Sequence, residues 1–168
     1  MNPRILAVVL DGHEAAMVAG MPTLVALARA REATVRVAYF RPIPDPRVDR
    51  YDRVVADSDR EMTRIGRGFI DTLRWAAQRF DGVVMHAVVR FGAPRREVDT
   101  EVEVFRPSII ALFAPRAGGP LARLRAWVIR RRVTRSASTR VLVLETPPRS
   151  ETARDGRRRV VVAERLSP

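Results

Sequence analysis

The sequence predicts an α/β domain with one doubly wound parallel sheet and helices on both faces. Three observations carry that expectation. Short, wholly apolar runs end in turn residues, as strands buried on both faces do. Between them lie longer stretches whose apolar residues recur every three or four positions, the period of a helix packed on one side. Five of the first kind alternate with four of the second, and parallel neighbours joined by helical crossovers are the layered solution to that order.

The first strand is residues 5–10, Ile-Leu-Ala-Val-Val-Leu, closed by Asp11-Gly12. Met17, Met21, Leu24, Val25 and Ala28 then mark a helix over 14–31, which Pro22 is expected to kink or loosen. A second strand follows at 35–40. Pro42, Pro44 and Pro46 hold the next segment out of regular structure, so a loop is expected there. Met62, Ile65, Phe69, Leu73, Ala76 and Phe80 step by three or four, predicting a helix over 60–80 that Asp81-Gly82 ends. A third strand at 83–89 and a short helix after Pro94, with Val98, Val102 and Phe105 inward, come next. The fourth strand, 109–113, is fully apolar and therefore central. A loop through Gly118-Gly119 leads to Pro120 and a helix to about 135, and the fifth strand is 141–144.

Composition bounds the function. The chain has 168 residues, 46% of them hydrophobic, enough for one compact domain. No cysteine is present, which removes disulfides, thiolate nucleophiles and cysteine-ligated zinc, and two distant histidines make a poor metal site. Localisation in the cytoplasm is expected. No apolar run approaches the roughly 20 residues of a membrane span, and no leader pattern opens the chain, so neither export nor a membrane partner is expected.

All 31 basic residues are arginine, against 19 acids, for a net charge of +12. Most of the excess is late: 14 arginines and 4 acids follow Pro115, whereas 17 and 15 precede Arg116. An arginine-only set reads as compositional bias. The late block, with Arg130, Arg131 and Arg132 in succession, is either a solvated basic surface or a site for nucleic acid. Consecutive helix positions point 100° apart, so those three cannot share one groove-facing side. The domain is taken as 1–146, and 147–168 as an arginine-rich tail whose apolar island at 160–163 is either loose or an added edge strand.

In open parallel sheets ligands bind beyond the carboxyl ends of the strands, where the winding reverses. That rule selects Asp11, Gly12 and His13 after the first strand and residues 114–119 after the fourth. His13 beside Asp11 and Glu14 has the makings of a general acid or base, but no nucleophile stands at a recognisable spacing, and a solvent-facing histidine at a helix start is the plain reading. His86, in the third strand, reads as a half-buried structural residue or an edge-strand polar group.

The segments ILAVVLDGHEAA, ATVRVAYF, VVRFGAP, SIIALFAPRAGGPLARL and TRVLVLE resemble, in order and spacing, the universal stress protein family over residues 4–144. The resemblance implies a five-stranded flavodoxin-like sheet, akin to the adenine nucleotide alpha hydrolases, in the order 3-2-1-4-5, and a homodimer formed near the last strand. It also implies a site. Many members bind ATP through Gly, two residues, Gly, nine residues, then Gly and Ser or Thr. Those places hold Ala114, Ala117, Trp127 and Val128 here, so every position is substituted. Glycine lets backbone amides close on phosphate oxygens, whereas a Cβ restricts the angles and an indole fills the space.

Asp11 stands where relatives contact the nucleoside, although a turn aspartate capping the next helix is an equally open reading. If an adenine nucleotide binds, the candidate set is Asp11, Gly12, Phe40, Arg116, Gly118 and Gly119, with Gly118-Gly119 before Pro120 offering either an anion site or an ordinary tight turn. The resulting expectation is a non-enzymatic stress-response or regulatory protein. It has no resident cofactor, an unknown protein partner, and no ATP bound in the usual way. An adenine-nucleotide-binding member and a basic nucleic-acid-binding module are the alternatives.

Overall fold

A computed structural model describes residues 3–51, 53–114 and 139–145. β1 (Arg4–Leu10), β2 (Thr34–Arg41), β5 (Met85–Phe91), β6 (Ile109–Ala114) and β7 (Arg140–Glu145) form one sheet in the order β5-β2-β1-β6-β7. Every pairing in it is parallel. In chain order these are the third, second, first, fourth and fifth strands of the sheet, the order expected above. β1 and β6 are central, which is why their runs lack polar residues: alternate side chains enter two different cores.

One core lies under α1 (Glu14–Ala30) and α2 (Ser58–Ala77) and takes Ile5, Ala7, Val9, Val37, Tyr39 and Phe113 from the sheet. The opposite core lies under α3 (Pro94–Phe105) and takes Leu6, Val8, Ala38, Phe40, Ile110 and Leu112. Each fully buried aliphatic side chain contributes about 1.5–3 kcal/mol over leaving it in water. Slipping β1 by one residue would exchange the two sets.

Several expectations are corrected. α1 runs as one helix through Pro22, which is exposed and withholds one amide donor from it. α2 begins two residues earlier than expected because Asp57 caps it, its carboxylate accepting from the Arg60 amide at 2.9 Å. It ends at Ala77, leaving Phe80 to pack from the following turn. β5 starts two residues late. The loop expected after β2 contains a two-stranded antiparallel ribbon, β3 (Arg47–Val48) and β4 (Val54–Ala56). The prolines do keep 42–46 irregular, as a strap leading to that ribbon. The helix expected after Pro120 and the tail 147–168 lie outside the described residues. No helix among the described residues is long and apolar enough to cross a membrane.

Candidate functional site at the carboxyl end of the sheet

Parallel pairing decides what meets Asp11. Leu10 is opposite Phe40, so the next residues out, Asp11 and Arg41, leave the sheet side by side. The Asp11 amide donates to the Phe40 carbonyl at 3.1 Å, and Gly12 makes the turn at φ +79°, a conformation that favours glycine. Arg41 Nη1 lies 3.1 Å from Asp11 Oδ1. The Tyr39 hydroxyl is 3.0 Å from the same oxygen and 2.6 Å from Glu14 Oε1.

A phenol has one proton to donate, and the shorter contact assigns it to Glu14. Asp11 is balanced by Arg41. Tyr39 is 1% exposed and its ring stacks on Phe69 of α2, with centroids 4.6 Å apart and planes 11° from parallel. Burial, and then the hydrogen bond to Glu14, push its phenol well above the ordinary value. The cluster thus ties β1, β2, α1 and α2 together at one end of the sheet. Asp11 does not cap α1. His13 occupies the cap position, and no side chain accepts from the first turn there.

His13 is half-buried and not solvent-facing, with Nδ1 3.2 Å from the Phe113 carbonyl of β6. A carbonyl only accepts, so Nδ1 carries the hydrogen in this contact. The contact closes the crevice between β1 and β6, where the winding reverses. Gly20 continues the same grip: an added Cβ would sit 2.7 Å from the Phe113 ring.

On the other side of Asp11 an open cavity of about 520 Å³ is walled by Asp11, Arg41, the strap, β3, and Glu61, Arg64 and Ile65 of α2. Glu61 is only 6% exposed, an acid on the inward side of α2. Arg64 Nη2 meets it at 2.8 Å and Arg47 Nε at 3.7 Å. A separate buried carboxylate, Glu101 of α3, is fully enclosed on the far face of the sheet. Arg36 Nη1 reaches it at 2.6 Å and Arg90 Nη2 at 3.0 Å, and Arg36 also lies 4.2 Å from the centre of the Phe105 ring.

Of the residues the sequence singled out, Asp11 and Gly12 are at the crevice. The Phe40 ring is fully buried in the α3-side core, so only its backbone faces the site. His86 is an exposed residue of the edge strand β5. Arg116, Gly118, Gly119, Arg130, Arg131 and Arg132 lie outside the described residues, as do Ala117, Trp127 and Val128. Among the described residues no group of histidines and acids is placed to hold a metal ion. Tyr39, Arg41, Arg47, Glu61 and Arg64 were missed. Arg41 was recoverable, since pairing the first two strands end to end puts it beside Asp11.

The same arrangement of five parallel strands recurs in solved structures at probability 1.00. Among them are the universal stress protein UspA from Lactobacillus plantarum, with TM-score 0.58 and 18% identity over 85% of this chain and 97% of that one. A universal stress protein family member from Burkholderia pseudomallei aligns with TM-score 0.55 and 15% identity over 84% and 95%. The fold is that of the universal stress proteins. A universal stress protein family protein from Arabidopsis thaliana with AMP bound shares it at TM-score 0.53 and 14% identity over 90% and 96%. No family model and no curated protein matches the chain by sequence. The universal stress fold is therefore established by architecture, and the candidate site is argued from this chain's own residues.

Proposed function

We propose that this chain is a non-enzymatic regulatory protein of the universal stress type, acting in the cytoplasm as a homodimer with a protein partner, and that it does not bind ATP through the usual glycine loop. The observation that carries this reading is the engagement of Asp11. Its carboxylate, the group at the nucleoside position of ATP-binding relatives, is already paired with Arg41. The sequence supports the same reading, because Ala114, Ala117, Trp127 and Val128 stand where the glycines and hydroxyl of the phosphate pattern would be. Support for a non-catalytic role comes from Glu14 and Glu61, which are likewise paired with neighbours, and from His13, whose Nδ1 is committed to a carbonyl.

The test is calorimetric titration of the full chain with ATP, ADP and AMP, together with mass spectrometry of small molecules released from the purified protein. No heat with ATP or ADP at millimolar concentration and no nucleotide released is the expected result. Saturable ATP binding would overturn it.

A second reading is favoured by the cavity beside Asp11 and by the AMP-bound relative of the same fold: an adenine nucleotide held at Asp11 without the glycine loop. AMP binding that disappears in Asp11→Ala is its signature. The basic nucleic-acid reading rests on Arg130, Arg131 and Arg132, and a gel shift that survives physiological salt is what it requires.

A further inference from the structure

We propose that the cavity between the strap and α2 is a binding site for a small phosphate monoester, held by Arg41, Arg47 and Arg64 with its organic part against Pro42, Ile43 and Ile65. The volume, about 520 Å³, is that of a small-molecule site. The three guanidinium groups come from three different elements, the end of β2, β3 and α2, and converge on one opening.

Depth separates the charges. The Glu61 side chain is 7% exposed, whereas those of Arg47 and Arg64 are 61% and 65% exposed. One carboxylate thus lies beneath two outward-facing guanidiniums, and that trio carries a net positive charge toward the opening. At 3.7 Å the Arg47 contact is too long for a hydrogen bond, so this guanidinium keeps its donors for a ligand. Arg41 shares its charge with Asp11, and both side chains are partly open to the cavity, 34% and 43% exposed. Asp45 is a second exposed acid of the lining, and water and salt screen it.

A planar fork of N–H donors matches phosphate oxygens in pairs, which favours a phosphate monoester over a diffuse anion. The neighbouring wall is apolar: Pro42, Ile43, Pro44, Val48 and Ile65 line it, and Ile43 and Val48 are unusually exposed at 60% and 49%. A ligand carrying a phosphate at one end and a flat apolar group at the other satisfies both halves. β2 and β6 flank β1 on opposite sides, so this cavity is on the side of Asp11 away from β6.

The inference rests on the reading that phosphate recognition does not use a glycine loop, and the two fail separately. ATP binding that ignores Arg47→Gln would end that reading, whereas loss of the probe interaction described next would end only this inference. The probe is phenyl phosphate, titrated into the isotope-labelled full chain and followed by amide NMR. Saturable shifts at the amides of Ile43, Val48 and Ile65 are expected. Arg47→Gln and Arg64→Gln should each weaken binding about tenfold, the effect of losing a charge-assisted hydrogen bond. Arg79→Gln, which removes a guanidinium stacked on Trp75, serves as the charge control and should leave binding unchanged.

Inorganic phosphate should shift the same amides more weakly, and phenol should not shift them. If Arg64→Gln unfolds the protein by stranding Glu61, Arg47→Gln keeps the test readable, because Glu61 retains its closer partner. Absent saturation, shifts centred elsewhere, or equal weakening by Arg79→Gln would overturn the proposal.

Discussion

Glu101→Gln isolates the value of the enclosed carboxylate. In the native protein this side chain has no exposure and accepts from Arg36 at 2.6 Å and from Arg90 at 3.2 and 3.0 Å. Glutamine fills the same volume but supplies no charge, and its amide turns two hydrogens toward a guanidinium. Removing one member of a buried ion pair costs about 3–5 kcal/mol when the survivor stays enclosed. Arg36 and Arg90 are 26% and 40% exposed and recover part of that in water, which lowers the expectation to about 2–3 kcal/mol.

The assay is urea unfolding followed by far-UV circular dichroism. With a slope near 2 kcal/mol per molar, the midpoint should fall by about 1 M. A double-mutant cycle with Arg36→Gln should give a coupling of about 1–2 kcal/mol, since Arg90 remains to engage the carboxylate when Arg36 is gone. A midpoint within about 0.2 M of the parent, or a cycle with no coupling, would refute the reasoning. The carboxylate would then be solvated and the enclosure of Glu101 wrong.

Other substitutions test the rest of the frame. Gly20→Ala places a methyl 2.7 Å from the Phe113 ring and should cost about 1–3 kcal/mol in thermal or urea unfolding, because a buried ring has nowhere to move. Tyr39 is held neutral in the folded state by burial and by Glu14, while the unfolded chain releases this proton near pH 10; stability therefore falls as pH rises above about 10, and Tyr39→Phe should flatten that fall in alkaline unfolding curves. Asp49 accepts from the amides of Tyr51 and Arg53, and the Arg53 amide above all holds its carboxyl below the ordinary value. The ribbon turn it organises should persist above pH 4 and loosen as pH falls through that lowered value, visible as titrating Tyr51 and Arg53 amide resonances that Asp49→Asn removes.

Strand content and the central place of β1 and β6 were legible because central parallel strands must be apolar on both faces, and these two say so in six consecutive residues each; the full strand order came from the family resemblance. The ribbon was not. Arg47–Val48 and Val54–Ala56 are too short for any period to register, and the prolines before them argue for a loop. Glu101 left a trace that went unread. Together with Val98 and Phe105 it steps by three and four along α3, so the helix stripe itself carries an acid inward, and of the arginines that answer it Arg90 lies on the preceding strand while Arg36 is distant in sequence. Asp11 was identified by position, with a helix cap and a nucleoside contact both left open, since Tyr39 and Arg41 become its neighbours only once β1 and β2 are paired. The cavity depended on where the strap runs, which no local pattern encodes.

Phe113 is gripped twice from one helix: its carbonyl by His13 at the start of α1, and its ring by the bare backbone of Gly20 two turns later. The last turn of β6 is thereby anchored by chain made a hundred residues earlier. Whatever sequence follows Ala114 leaves the sheet from a fixed point and need not hold that point itself. The point at which the chain leaves β6 is thereby a property of α1 as much as of the strand itself.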